Sequence, residues 1–205
     1  HYGIYAKCDW FMTMGSQAEY GPGNSNTSEE RVCKPNTEYG KWKLKLYEDA
    51  LPLCEKNAIR LLEPRLFSVY GEGDYEGTMI NTTLRKMLTN EECDFTKSTH
   101  MWNYLHVNDL VEGLMTLMEN DVPSGAYNLG YGYSRPLKDF LLDMAHLTDT
   151  HSKMNFGTIP YPATGAVDIS PDITKIKNIT GWTPKISFSE GISHLIDLMR
   201  QDIEK

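Results

Sequence analysis

The sequence predicts an α/β fold, and three observations lead to that prediction. The apolar run from Trp10 to Met14 is followed at once by Gly and Ser, which is typical of a buried parallel strand that ends in a loop. A helical pattern starts near Thr37, and a second short strand, Ile59 to Glu63, comes after it. Strands that alternate with helices in this way are characteristic of α/β proteins.

The first helix is predicted to begin at Asn36 or Thr37 and to continue to about Ala50. Pro52 should kink or end this helix, because proline supplies no N–H to the helical ladder. The face that the helix buries is predicted from four residues at helical spacing, which are Trp42, Leu46, Ala50 and Leu53.

Later elements are predicted from the same signals. Residues 1–7 resemble the end of a helix, and residues 105–107 and 127–129 are expected to be extended. Asn108 or Asp109 should lie near the cap of a long helix. Helices are expected over residues 79–88, 108–118, 137–147, 173–179 and 189–203.

Composition narrows the class of function. The chain has 205 residues, 28 acidic and 20 basic side chains and a net charge of −8, which disfavours nucleic acid as a partner because phosphate binding needs a basic surface. No apolar run has the length of a membrane span, so no membrane partner is expected. The four cysteines lack metal-ligand spacing and are expected to be reduced thiols, which favours the cytoplasm. The six histidines include no His-x-x-x-His pair, and no metal site is predicted.

Tyr39 and Lys43 stand about one helical turn apart, so the phenol and the ammonium should lie on one face of the first helix. A cation beside a phenol favours the phenolate and would let Tyr39 exchange a proton with a substrate hydroxyl or carbonyl. A surface helix with a solvated lysine gives the same pattern, so the pair is a weak signal by itself.

Ser16 follows the first strand directly, at the carboxyl end where open α/β sheets bind their ligands. Its hydroxyl is a candidate to hold the same substrate oxygen that Tyr39 addresses. A simple turn role is the alternative, because serine is frequent in turns.

Six segments stand in a recognisable order along the chain. Gly15 to Gly21 holds the serine, Glu29 to Lys43 holds the Tyr-x-x-x-Lys pair, and Arg65-Leu-Phe-Ser-Val-Tyr-Gly71 follows. The last three segments run from Tyr104 to Asp109, from Gly125 to Gly130 and from Asp172 to Gly191. In this order they resemble the extended short-chain dehydrogenase/reductase family, specifically its nucleotide-sugar epimerases, dehydratases and ketoreductases. The likeness covers nearly the whole chain.

The resemblance implies the C-terminal part of a Rossmann-like doubly wound parallel sheet plus a smaller mixed α/β substrate-binding domain. Residues 1–75 would be the remainder of the Rossmann-like domain, and residues 76–205 would be mainly the substrate-binding domain, with 100–130 partly returning to the first. Family members carry a glycine-rich dinucleotide-binding turn before the serine strand, whereas the glycine-rich stretch here, residues 71–77, follows a later strand as a substrate-side loop would. We therefore expect either a fragment without most of its cofactor site or a protein that lost it.

The resemblance also implies an activity and its residues. NAD or NADP would exchange hydride with a sugar carbon while Tyr39 moves the proton on that carbon's oxygen. Ser16 would share that hydrogen bond, and Lys43 would bind the nicotinamide ribose. Phe67 would lie against the cofactor, and a homodimer is implied for the full-length protein. The residues placed toward a nucleotide-sugar substrate are Ser16, Ser68, Thr78 and Trp102.

Departures from the family pattern narrow the reaction. Family dehydratases carry two acids directly after the serine or threonine, where this chain has Gln17 and Ala18. Neither residue has a carboxyl group, so dehydration is disfavoured, and epimerisation or ketone reduction remains. Glu19 comes one place too late for this role and is expected to be a loop carboxylate.

Two further departures concern the substrate. Trp102 stands where many relatives carry an arginine for the diphosphate, and Ser68 stands where they often use an asparagine. An indole stacks on a base or a sugar face but cannot neutralise phosphate. Either another cation, such as Arg135 or Lys175, holds the substrate, or the substrate is not a typical nucleotide sugar. A core aromatic for Trp102 and a plain loop hydroxyl for Ser68 are equally open.

Two other classes of function remain to be weighed. A hydrolase triad of Ser16, His106 and Asp109 would need a Gly-x-Ser-x-Gly elbow, which the sequence lacks. The resemblance instead makes His106 structural and Asp109 a cap. A non-catalytic remnant of the fold, acting in assembly or partner binding, is the alternative to an enzyme.

Overall fold

The computed structural model describes residues 8–23, 26–162 and 165–203, so the helix end predicted for residues 1–7 lies outside the described residues. Helices α1 to α6 span Glu38–Lys56, Met79–Leu88, Val107–Glu119, Leu137–Thr148, Thr174–Thr180 and Phe188–Ile203. Strands β1 to β10 span Trp10–Met12, Gly15–Ser16, Arg60–Leu66, Val69–Tyr70, Cys93–Phe95, Met101–Trp102, Leu105–His106, Gly125–Leu129, Arg135–Pro136 and Met154–Phe156. A single 3₁₀ turn, Gln17–Glu19, follows β2.

The main sheet is centred on β3 and is parallel throughout. Strands β1 and β2 pair with one edge of β3, and β8 pairs with the other edge over Leu62 to Leu66. Because the strands are parallel, their carboxyl ends meet at one edge of the sheet, which places Ser16 beside Leu66, and Leu129 pairs with Leu66 on the other side. The predicted α/β class with a parallel sheet is confirmed.

Strand β3 is longer than predicted. It continues from Glu63 through the buried Pro64 to Leu66. Proline cannot donate to a sheet ladder and is normally confined to edges or irregularities. Here the register pairs Met12 with Leu62 and Gly15 with Arg65, so Pro64 lies opposite the break between β1 and β2. The sheet interrupts its hydrogen bonding where the proline has no N–H.

Helix α1 is also longer than predicted, since it passes Pro52 and ends at Lys56. Pro52 is exposed, and the proline removes the N–H that would bond to the carbonyl of Glu48. Glu48 is exposed as well, so water can take the place of that donor and the helix can continue.

The predicted buried face of α1 is wrong. Trp42, Leu46 and Leu53 are 66%, 49% and 45% exposed. The side toward the sheet instead carries Gly40 and Cys54, with Tyr47, Ala50 and Leu51 partly buried. A Cβ atom on Gly40 would lie 2.4 Å from the carbonyl oxygen of Ala18. This close approach of the helix backbone to the 3₁₀ turn fixes the rotation of α1 and turns Trp42 outward.

The remaining predicted helices are confirmed, each to within one residue at either end. The two-residue and three-residue strands outside the main sheet, apart from β7, were not predicted, because so few positions cannot display an alternation. Strands β5 and β10 pair in parallel, and β6 pairs antiparallel with β9. Among the described residues, no helix combines the length and the apolar content that a bilayer span requires.

Two hydrophobic clusters fill most of the interior. One lies around β8 and includes Leu117, Tyr127 and Trp182. The other joins α2, α4 and α6 and includes Leu84, Met144 and Ile192 among its buried residues. The second cluster lies among residues assigned to the substrate-binding part, whose boundaries stay a prediction.

Candidate active site

Ser16 ends β2 and caps the 3₁₀ turn that follows. Its Oγ accepts a hydrogen bond from the N–H of Ala18 at 3.2 Å, and its own N–H donates to Glu19 Oε1 at 2.7 Å. These two bonds form a capping box. Neither of them uses the hydroxyl proton, so Ser16 can still donate a hydrogen bond to a substrate oxygen.

Helix α1 brings the predicted tyrosine and lysine to the same edge. Thr37 caps the helix by accepting a hydrogen bond from the N–H of Gly40 at 3.1 Å. The Lys43 ammonium donates to the carbonyl oxygen of Met14 at 2.7 Å and lies 5.6 Å from the ring centroid of Tyr39. The bond to Met14 and the close approach of Gly40 to Ala18 place the start of α1 beside the end of β2, and a joint role for Ser16, Tyr39 and Lys43 stays a prediction.

The arrangement suits proton transfer at an open surface. Tyr39 is 58% exposed, so its hydroxyl can meet a ligand. A cation close to a phenol can stabilise negative charge that develops on the phenol oxygen during proton transfer. An ammonium group has three N–H donors. Within the described residues, Lys43 uses one of them, in the bond to Met14.

Phe67 and Trp102 belong to a small cluster beneath this edge. Phe67 is 2% exposed and packs against Tyr20, with 6.3 Å between the ring centroids. Trp102 is half-buried against the same cluster, and the His100 ring meets it edge-on at 5.4 Å. One part of the Trp102 side chain thus packs in the interior, and the rest of it is accessible. The burial of Phe67 leaves a cofactor little of its ring to touch, and that contact stays a prediction.

Ser68 and Thr78 have structural bonds of their own. The carbonyl of Ser68 accepts a hydrogen bond from the N–H of Leu105 at 3.1 Å. Thr78 caps α2, where its Oγ1 accepts from the N–H of Asn81 at 3.5 Å. The substrate contacts predicted for both residues stay predictions.

The two cations considered for a phosphate are held by the protein itself. Arg135 forms an ion pair with Asp143 and lies 4.0 Å from the ring centroid of Phe140. Lys175 donates to the carbonyl oxygen of Ala126 at 2.7 Å, and burial lowers the pKa of Lys175. Both cations have a protein partner in this structure, and the binding of a diphosphate by either stays a prediction.

His106 and Asp109 take structural positions. Nδ1 of His106 accepts a hydrogen bond from the N–H of Asn108 and caps α3, and burial lowers the pKa of His106. Asp109 is not the cap, because α3 already begins at Val107. Its buried carboxylate instead accepts the N–H groups of residues 185 and 186 at 3.0 Å and 2.9 Å. A structural His106 is confirmed.

A buried charged cluster is the main feature that the sequence analysis missed. Glu19 was expected to be a loop carboxylate, but it is fully buried because the capping box folds it under Ser16. Its Oε2 lies 2.9 Å from Nε of Arg65, and Oε2 of Glu63 lies 3.0 Å from a terminal nitrogen of the same guanidinium. Glu63 and Arg65 are two residues apart on β3 and so share one face of the strand, but no local pattern shows that Glu19 meets them.

Asn128, at the end of β8, fastens the loops around the site. Its Oδ1 accepts the hydroxyl of Tyr20 at 2.7 Å, and its N–H donates to Glu29 at 2.7 Å. Its side-chain amide donates to the carbonyl oxygens of Thr27 and Asp172 at 2.8 Å and 3.0 Å. Burial raises the pKa of Glu29, and the bond to Asn128 opposes that effect. One side chain thus joins three separate stretches of the chain.

Within residues 8–23, 26–162 and 165–203, no group of three or more His, Cys, Asp or Glu side chains is arranged to hold a metal ion.

Comparison with known proteins gives the family. The model of the NAD dependent epimerase/dehydratase family matches residues 4–130, more than half of the chain, and the chain belongs to this family. UDP-glucuronic acid decarboxylase 1 of Arabidopsis thaliana is 30% identical over 191 residues, which are 88% of this chain and 40% of the relative. CDP-abequose synthase of Salmonella muenchen is 24% identical over 136 residues, or 65% of this chain and 46% of the relative. The chain spans less than half the length of these two relatives.

Solved structures give the same fold. UDP-glucose 4-epimerase from Thermotoga maritima, solved with UDP-glucose, has a TM-score of 0.88 at 21% identity. The match covers 98% of this chain and 66% of the epimerase. UDP-glucuronic acid 4-epimerase from Bacillus cereus, solved with NAD, has a TM-score of 0.85 at 19% identity over 97% of this chain and 62% of its own. MoeE5, solved with UDP-glucuronic acid and NAD, has a TM-score of 0.87 at 22% identity over 98% of this chain and 68% of its own. The Rossmann-type architecture expected from the sequence is confirmed.

Proposed function

We propose that this chain supplies the proton-transfer residues of an NAD- or NADP-dependent nucleotide-sugar epimerase or 4-ketoreductase. The observation that supports this proposal is the bond between Lys43 and Met14, which joins the helix that carries Tyr39 and Lys43 to the chain just before Ser16, in a member of this family. The bound nicotinamide would accept or supply hydride at a sugar carbon.

The residues of this chain would handle the sugar oxygen. Tyr39 would take or give the proton on the oxygen of the reacting carbon. The Ser16 hydroxyl would donate a hydrogen bond to that oxygen and fix its position. Lys43 would hold the ribose hydroxyls with the N–H groups that Met14 does not use.

The comparisons support a nucleotide sugar as the substrate class. Solved structures of the same fold contain UDP-sugars and NAD, and one named relative is a UDP-glucuronic acid decarboxylase. Gln17 and Ala18 carry no carboxyl group, which favours a reaction without elimination of water. Epimerisation and ketone reduction need only the hydride step and the proton step.

The cofactor fit is partial. Lys43 and Tyr39 suit the nicotinamide ribose, but a pyrophosphate needs a glycine-rich turn between a strand of the main sheet and a helix. Among the described residues, the glycine-rich turn at 71–77 follows β4, which pairs with β7 outside the main sheet. We therefore propose that this chain alone binds NAD weakly and is inactive alone.

A second copy of the protein would cover the exposed face of α1. Trp42, Leu46 and Leu53 lie on that face and are all close to half exposed or more. Large apolar side chains that share one helix face mark an interaction surface more often than a solvated one. The family resemblance implies a homodimer, and this stripe is where we place it.

Calorimetric titration with NAD and NADP tests the proposal. The 205-residue chain and the full product of its gene are compared, and UDP-glucose and UDP-glucuronic acid are then offered while the sugar is followed by NMR. Binding and conversion by the full product, with Tyr39→Phe inactive, support the enzyme. Absence of binding and of conversion in both proteins would instead favour a non-catalytic remnant that acts in assembly.

A further inference from the structure

Two buried carboxylates share one guanidinium beneath Ser16. Glu19 and Glu63 are fully buried and Arg65 is 4% exposed. Nε of Arg65 lies 2.9 Å from Glu19 Oε2 and 3.1 Å from Glu63 Oε2. Among the described residues, no donor reaches the other oxygen of Glu63, Oε1, although that oxygen is buried. A buried carboxylate oxygen without a donor is costly, so the cluster is short of one positive charge or one proton.

The two glutamates contact the backbone at Gly15 and Ser16. Glu19 Oε1 accepts the N–H of Ser16 at 2.7 Å. A Cβ atom on Gly15 would lie 2.9 Å from Cγ of Glu63 and 3.0 Å from Oε1 of Glu19. The residue before Ser16 must therefore be glycine as long as both glutamates occupy these positions. The serine backbone rests directly on the charged cluster.

The groups that face Glu63 do not supply the missing charge. Glu19 and Arg65 are its nearest ionisable neighbours, and Tyr47 of α1 and Cys33 interact with it electrostatically as neutral groups whose pKa values burial raises. Ala126 lies opposite on β8 and does not titrate. Lys43 acts on Glu19, and the Arg65 guanidinium stacks 4.7 Å from the ring centroid of Tyr20.

A proton is therefore the missing element. Burial raises the pKa of Glu63 to about 8; Arg65 opposes the rise and Glu19 adds to it. Burial raises the pKa of Glu19 as well, but Arg65 and the N–H of Ser16 oppose that rise, so the proton is assigned to Glu63, which becomes a donor when protonated. Two carboxyl groups held together in a dry site share a proton for the same reason in other proteins.

We propose that Glu63 is a positioning residue that is protonated when Ser16 binds the substrate oxygen. Because the protonated acid carries no charge, Arg65 pairs with Glu19 alone, and Glu19 keeps the Ser16 N–H in place. The inference rests on the proposed function, because it assigns Glu63 to the support of Ser16. Once Glu63 loses the proton, its carboxylate competes with Glu19 for Arg65, and the hydrogen bond from the Ser16 N–H to Glu19 weakens.

Unfolding as a function of pH tests the protonated state without any substrate. Glu63→Gln has the shape of the protonated acid and cannot ionise. The native pKa lies above the ordinary value of 4.5, so the native wild type binds the extra proton between pH 4.5 and about 8 and loses stability as the pH rises through this window. The unfolding midpoints of the two proteins should coincide near pH 4.5, and by pH 8 to 9 Glu63→Gln should be higher by about 3 °C or more.

A matched control keeps this result specific. Glu48→Gln removes an exposed carboxylate from α1 and should follow the wild type at every pH. A Glu63→Gln variant that is less stable than the wild type at pH 8 to 9, or that differs from it by the same amount at every pH, would show that Glu63 is charged in the native protein and overturn the proposal.

The effect on Ser16 is read from turnover in the full gene product. The ratio of wild-type to Glu63→Gln turnover should fall by about tenfold between pH 7 and pH 9, because the wild type alone loses a proton there. Any pH dependence that the two proteins share cancels in this ratio. A constant ratio would reject the positioning role and leave the proposed function standing. If no protein turns over, the proposed function fails, whereas the unfolding measurement still decides the protonation of Glu63.

Discussion

The Lys43 ammonium lies 2.7 Å from the carbonyl oxygen of Met14, a residue at the break between β1 and β2. This single bond fastens the helix that carries Tyr39 to the strand that ends in Ser16. The two elements that would act on a sugar oxygen are therefore connected by the side chain assigned to the cofactor.

Replacing Lys43 with Met should weaken cofactor binding. The change removes the charge that would hold the ribose and the bond to Met14, while keeping most of the length of the side chain. The KM for NAD or NADP should rise by about tenfold or more, because one charge-assisted hydrogen bond contributes about 1.5–3 kcal/mol. Lys41→Met, which breaks an exposed pair with Glu38, is the control and should leave KM unchanged. Equal changes in both variants would reject the assignment.

Removing the Tyr39 hydroxyl should abolish most of the turnover. In Tyr39→Phe the full gene product should lose a factor on the order of 10² to 10⁴ in kcat, the usual contribution of a general acid or base. Its stability should change by less than about 0.5 kcal/mol, because the side chain is exposed. Tyr133→Phe, at another exposed tyrosine, serves as the control. Activity within tenfold of the wild type would contradict the role of Tyr39.

Gly40→Ala should destabilise the protein although alanine is the better helix former. The helix would gain about 1 kcal/mol from the substitution. The added Cβ would meet the Ala18 carbonyl oxygen at 2.4 Å, and forcing such contacts apart typically costs about 1–3 kcal/mol. Denaturant unfolding should therefore show a net loss for Gly40→Ala. A Gly40→Ala protein as stable as the wild type would show that the approach to Ala18 is not tight.

A charge on the outer face of α1 should separate the proposed dimer. Leu46 is 49% exposed, and Leu46→Glu would place a carboxylate within the apolar stripe. Light scattering after size-exclusion chromatography should show a dimer for the wild-type gene product and a monomer for Leu46→Glu. Val111→Glu introduces the same charge at an exposed apolar position of α3 and should remain dimeric. A wild type that is monomeric at all concentrations would refute the interface.

The placement of Tyr39 and Lys43 on one helix face and of Ser16 at a strand end could be predicted because each depends on short-range order. The spacing of Tyr39 and Lys43 is fixed by one helical turn, and Ser16 directly follows an apolar run whose end is marked by glycine. Such features need no knowledge of distant contacts. The same holds for the helices whose apolar residues recur at a helical period.

Other features depend on contacts between distant residues and could not be predicted. Trp42 and Gly40 both lie on faces that fit a helical period, and only the approach to Ala18 decides which face is buried. Charged residues at positions 63 and 65 look like the end of a strand until Glu19 is known to meet them. Pro64 likewise signals a strand end, unless the neighbouring strand breaks at the same level.

The bonds of Asn128 limit the order in which the chain can fold. They connect this residue to Tyr20, 108 positions earlier, and to Asp172, 44 positions later. Such long-range contacts require large loops to close before they return any stabilisation, which slows folding. During synthesis, the loop that contains Thr27 has no complete set of buried partners until Asp172 has left the ribosome. The nascent chain should therefore stay sensitive to proteases around residues 20–35 until most of its length has been made.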